Sequence, residues 1–173
     1  MSRRSIAIAA ALSVLALGSP FGTASANPLA RQYFNQGVEK YETGNYQGAI
    51  ADFTKVIEIY PRHADTYFWR GTAKDDLEDY QGAIADYNKA IEINPQYAIA
   101  YGNRGNAKSE LKDYQGAIAD YTKALKINPK DANTYENRGI ARELTNDLEG
   151  ACRDWRKAAD LGKERSAEWV DQC

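Results

Sequence analysis

Most of the residues on which catalysis and metal binding depend are scarce in this sequence. The single histidine, His63, among 173 residues leaves a histidine-based dyad or metal cluster without a second member. Two cysteines, Cys152 and Cys173, are too few for a cysteine-rich zinc set, and they form no C-x-x-C motif. There is no nucleophile elbow and no glycine-rich phosphate loop. With 22 basic and 24 acidic residues the net charge is −2, so no electrostatic footprint for nucleic acid exists. The one long apolar run, Ile6 to Leu17, is too short to span a bilayer as a permanent helix. These shortages argue against an enzyme, a resident cofactor or metal, a nucleic-acid partner and stable membrane insertion.

That apolar run has another reading. Arg3 and Arg4 precede it, and Ala24-Ser25-Ala26 follows with the small residues a signal peptidase needs. Residues 1–26 are therefore expected to be a signal peptide, leaving 27–173 as one exported domain. Loss of the two arginines takes the formal charge from −2 to −4. The destination is the periplasm, the thylakoid lumen or the medium, each of which permits disulfides.

What the sequence does have is repetition. Tyr80-Gln81-Gly82-Ala83-Ile84-Ala85-Asp86-Tyr87 recurs almost letter for letter from Tyr114 to Tyr121. A close relative runs from Tyr46 to Phe53, and a diverged copy from Leu148 to Trp155. Gly37, Gly71, Gly105 and Gly139 keep the same 34-residue step, as do Pro61, Pro95 and Pro129. The units are 30–63, 64–97, 98–131 and 132–165, with a cap at 166–173.

Each unit reads as two helices. Tyr67, Arg70, Gly71 and Lys74 share one helical face, and Tyr80, Ala83, Ile84, Tyr87, Ala90 and Ile91 form the stripe of a second. Asn45, Asp79, Asp113 and Asp147 are placed to cap the second helices, and Asn94-Pro95 stops that of the second unit. A mid-helix glycine costs about 1 kcal/mol relative to alanine, so four of them require a close approach. Ala49, Ala83, Ala117 and Ala151 offer the opposing small surface, with Phe53, Tyr87, Tyr121 and Trp155 filling the layer. A lone hairpin cannot bury such a stripe, so the hairpins must stack. The expected fold is all-α, a solenoid of four helix-turn-helix units with a C-terminal capping helix.

The period, with aromatic, glycine, alanine, aromatic and proline at these places, resembles the tetratricopeptide repeat over residues 30 to about 165. The near-identical units further resemble exported cyanobacterial and other bacterial members. The resemblance implies antiparallel helix pairs and a concave face, lined by first helices, that binds an extended peptide or partner helix. It would place Phe34, Val38, Tyr41, Phe68, Trp69 and Thr72 on that face, followed by Asn103, Asn106, Glu136 and Asn137. Phe68 and Trp69 could equally pack inside the neighbouring repeat. Exposed aromatics would anchor a partner, and the acidic groove residues favour a neutral or basic segment.

One departure from the family pattern is systematic. Arg70, Arg104 and Arg138 stand at a place usually held by leucine, with Lys74, Lys108 and Arg142 four residues on. Each second helix carries an acid, at Asp52, Asp86, Asp120 and Asp154, whereas the first unit has Gln36 in place of arginine. An arginine appears only after a preceding aspartate, which predicts Asp52–Arg70, Asp86–Arg104 and Asp120–Arg138 pairs across the junctions. In the cap, Trp169 repeats the place of Tyr135, and Cys173 falls against the helix of Cys152, predicting a disulfide. The functional expectation is an interaction scaffold, of a kind that would serve assembly of an envelope or thylakoid complex. End-to-end self-association of the stack is the alternative.

Overall fold

A computed structural model describes residues 27–173 apart from Gln172, so the expected signal peptide at 1–26 lies outside the described residues. The described residues form nine helices and no strand: α1 (Pro28–Glu42), α2 (Tyr46–Ile59), α3 (Ala64–Asp75), α4 (Tyr80–Ile93), α5 (Ala98–Glu110), α6 (Tyr114–Ile127), α7 (Ala132–Leu144), α8 (Leu148–Asp160) and α9 (Glu164–Val170). They fall into two compact units that divide between Ile93 and Asn94. In the first, α1 pairs with α2 and α3 with α4, and α3 packs on α2. In the second, α5 pairs with α6 and α7 with α8, α7 packs on α6, and α9 lies on α8. The all-α class and the consecutive helix pairs of a repeat solenoid are as expected.

The helix ends follow from local chemistry. Asn45, Asp79, Asp113 and Asp147 accept from the amides of Gly48, Gly82, Gly116 and Gly150, closing the starts of α2, α4, α6 and α8. Each hairpin turn ends its first helix with a long reverse bond, such as the Asp79 amide donating to the Lys74 carbonyl at 2.9 Å. That turn needs one residue in the left-handed region. Gly44 supplies it in the first hairpin at φ 81°, but Glu78, Lys112 and Asn146 supply it in the others at 62–64°. Only glycine is free of steric cost there.

The mid-helix glycines serve a contact inside each hairpin. A Cβ on Gly71 would stand 2.9 Å from the Tyr87 ring, and one on Gly105 would stand 2.6 Å from Tyr121. Gly37 and Gly139 face Phe53 and Trp155 in the same way. The glycine thus admits the ring of its own second helix, and Ala49, Ala83, Ala117 and Ala151 are fully buried elsewhere on those helices.

Candidate functional site

The arginine ladder exists, but its register differs from the one expected. Arg70 grips Asp86, not Asp52: Nη2 lies 2.6 Å from Oδ1 and Nε lies 2.9 Å from Oδ2. Arg104 holds Asp120 in the same fork at 2.5 and 2.8 Å, and Arg138 holds Asp154 at 2.6 and 2.8 Å. The partner is always sixteen residues later, on the second helix of the same hairpin. Lys74, Lys108 and Arg142 reach the second oxygen at 2.7–2.8 Å, one helical turn after each arginine. In the first hairpin, which has Gln36, Lys40 and Lys55 take Asp52 instead.

The arginines do reach the preceding hairpin, but through a hydroxyl. Arg70 Nη1 donates to Thr54 Oγ1 and Arg138 Nη1 to Thr122 Oγ1, both at 3.1 Å. Their guanidinium carbons also lie 5.7 Å from the Tyr67 ring centre and 5.6 Å from that of Tyr135. Each aspartate is nearly fully buried and each cation mostly so. Each clamp joins one carboxylate to two cations and so keeps one net positive charge, drawn inward on mostly buried side chains. The ladder is a clamp inside each hairpin.

The aromatic half of the expected groove lies elsewhere. Phe34, Tyr41 and Thr72 are buried in the first unit, which corrects their assignment to an accessible wall, and Phe68 and Trp69 are buried there too, in line with the inside-packing alternative. Trp69 packs edge-on to Tyr41 at 5.4 Å and stacks near Phe53 at 6.5 Å. Phe34 meets Phe53 at 5.8 Å and the His63 ring at 5.9 Å, while Phe68 meets Tyr87 at 6.0 Å. The physical reason is area: rings of this size gain more from filling the seam than from staying wet. Tyr41 remains satisfied there, because its hydroxyl donates to Asp76 at 2.5 Å. Burial first, and the Asp76 carboxylate second, push the Tyr41 phenol well above its ordinary pKa. Only Val38 of this set stays half-exposed.

The amide half is different. Asn103, Asn106 and Asn137 are half-exposed in the second unit. Asn137 Nδ2 donates to Asn106 Oδ1 at 2.9 Å, joining α7 to α5, and the Tyr121 hydroxyl donates to the same oxygen at 2.8 Å. Gly102 stands where the earlier hairpins have Phe34 and Phe68, and a Cβ there would meet only Thr134 Oγ1, at 3.5 Å. Glu136, the fourth residue of that row, is buried and corrects another assignment. Ser166 and Arg165 of the C-terminal helix bind it at 2.9 and 3.0 Å, and Lys163 lies 3.9 Å away.

The disulfide is present between Cys152 and Cys173, with Cα atoms 5.9 Å apart. Trp155 and Trp169 meet beside it at 5.1 Å between ring centres. Sequence reasoning missed the Glu136–Ser166 contact, the threonine links and the asparagine pair. Thr54, Thr122 and Asn106 carry no fold signal in the sequence beyond being polar at helical positions. Among the described residues no group of His, Cys, Asp and Glu could hold a metal, and no helix is long and apolar enough to cross a membrane.

The family comparison matches residues 30–63, 64–97 and 98–131, each as a tetratricopeptide repeat. This chain belongs to the tetratricopeptide repeat family. The fourth hairpin, with Gly162-Lys163 in place of Asn-Pro, completes the same helical pattern. Among solved structures the chain resembles the crystal structure of MamA at 24% identity and a TM-score of 0.76, over 95% of this chain and 91% of that one. MamA 41-end from Desulfovibrio magneticus RS-1 is similar at 21% identity and a TM-score of 0.74, over 96% and 98%. The Arabidopsis OM64 TPR domain is similar at 26% identity and 0.66, over 68% and 97%. No curated protein matches the sequence. Tetratricopeptide repeat proteins bind protein partners, and their scaffolds are generally non-enzymatic.

Proposed function

We propose that the chain is an exported scaffold that holds a protein or peptide segment against the first-helix face of its second unit. The observation that carries this reading is the half-exposed amide row of Asn103, Asn106 and Asn137, beside Gly102, which puts no side chain there. Side-chain amides both donate and accept, so such a row can pair with the backbone of an extended segment whatever its sequence. The ladder cations are mostly buried around their aspartates, while Glu110 and Glu143 are exposed on α5 and α7. That balance favours a neutral or basic partner.

Export rests on the basic start, the apolar run and the Ala-Ser-Ala segment of residues 1–26. The disulfide suits the same compartment, and so would assembly of an envelope or thylakoid complex. End-to-end stacking is the weaker reading. Where later first helices carry the buried Ala73, Ala107 and Ala141, α1 carries the exposed Glu39, which suits a solvated end. Light scattering should therefore report a monomer.

The test is partner capture from the exported fraction by the processed chain and by an Asn103→Asp, Asn106→Ala, Asn137→Ala variant. Loss of capture with an unchanged melting temperature supports the reading. Undiminished capture removes it.

A further inference from the structure

The end of the second unit is already occupied by part of the chain itself. Helix α9 has only seven residues, too few to stay helical alone. It lies on α8 through three kinds of contact. Trp169 packs on Trp155, Arg165 and Ser166 bind Glu136, and Cys173 is bonded to Cys152. Arg165 also stacks on the Trp169 ring, 4.8 Å from its centre, so cation and aromatic form one motif.

The chemistry beneath the helix is not that of a permanent core. Glu136 is a carboxylate that water can rehydrate if Ser166 and Arg165 leave, so parting that contact leaves no orphaned group. The Trp155 indole N–H has no hydrogen-bond partner in the closed arrangement. Cys173 is exposed, open to attack by a thiolate. The covalent bond is therefore the contact whose loss most weakens the closed state.

We propose that Cys152–Cys173 is a redox latch on a displaceable internal ligand. When a dithiol reduces it, the two hydrogens of the dithiol pass to Cys152 and Cys173, and its own sulfurs become the disulfide. Helix α9 then exchanges with solvent, and Glu136, Trp155 and the adjoining face of α8 accept a segment from a partner. The partner segment is of the kind α9 exemplifies: an arginine, a small hydroxyl residue next to it, and an aromatic four residues after the arginine. This deepens the proposed scaffold role and adds a site beside the amide row.

Hydrogen exchange on the processed chain tests the latch without any partner. Treatment with dithiothreitol should raise exchange across residues 163–171 to the rate of an unstructured peptide, while α5 to α8 stay protected. Trypsin should then cut after Lys163 or Arg165 at least tenfold faster. Cys173→Ser should behave as the reduced protein does. Unchanged protection of α9, or loss of protection throughout the second unit, overturns the proposal. A fluorescein-labelled peptide with the sequence of residues 163–171 supplies the second arm. It should bind the reduced protein, fail on the oxidised one, and be lost with Glu136→Gln in the protein or Arg165→Ala in the peptide. Equal binding to both forms, or to neither, also overturns it. Failure of the amide row is read separately, as undiminished partner capture by the oxidised asparagine variant.

Discussion

The two units are built from the same hairpin, yet they spend their first helices differently. At four equivalent places, 34 residues apart, the chain carries Phe34, Phe68, Gly102 and Glu136. One place further on it carries Asn35, Trp69, Asn103 and Asn137. In the first unit the aromatic members of these rows are drawn into the seam and leave little exposed. In the second, Gly102 and Glu136 are buried as well, but Asn103 and Asn137 stay half-exposed, and Asn137 bonds Asn106 across the helices. Repetition of the backbone therefore does not repeat the surface. A large ring at a wall position becomes core, and a small amide remains available for work.

The comparison can be broken most severely at the buried carboxylates, which both units share. Asp120→Leu leaves Arg104 and Lys108 facing an apolar group, and should cost about 3 kcal/mol of stability. In Arg104→Leu, Asp120→Leu the loss should be smaller than the sum of the single changes, whereas Arg104→Leu with Asp86→Leu should be additive, as read by denaturant melts. Trp69→Ala comes next, at about 3 kcal/mol, because it removes a fully packed ring. Asn103→Ala, its counterpart in the second unit, should change stability by no more than about 0.5 kcal/mol.

A smaller effect separates the hairpin turns. Lys112→Gly should stabilise the second unit by about 1 kcal/mol, since Gly44 already relieves that strain in the first. Calorimetry showing destabilisation would contradict the left-handed turn. The smallest effect concerns pH. Tyr41 has its folded pKa raised, so its contribution is complete below the unfolded phenol value of about 10 and is lost as pH rises above it. Tyr41→Phe should flatten the alkaline fall in stability.

The helix pairs, caps, cap helix and disulfide were legible because each leaves a local mark: a 34-residue step, an Asn or Asp at a helix start, a tryptophan in phase. The ion-pair register was not. When arginine and aspartate both recur every 34 residues, a partner sixteen ahead and one eighteen behind give the same pattern. The ends do not choose between them either: pairing backwards leaves Asp154 with glutamine at position 172, and pairing forwards leaves Asp52 with Gln36. The groove assignment failed for another reason. Family positions state where a Cα sits, whereas the size of the ring decides which way a side chain turns.

The contrast between the units is tested most directly by a photoactivatable cross-linker at Val38 and, separately, at Asn106, which are equivalent places two repeats apart. In the exported fraction, the adduct should form from position 106 and not from position 38. An adduct from position 38 alone would show that the first unit is the working face and contradict the account.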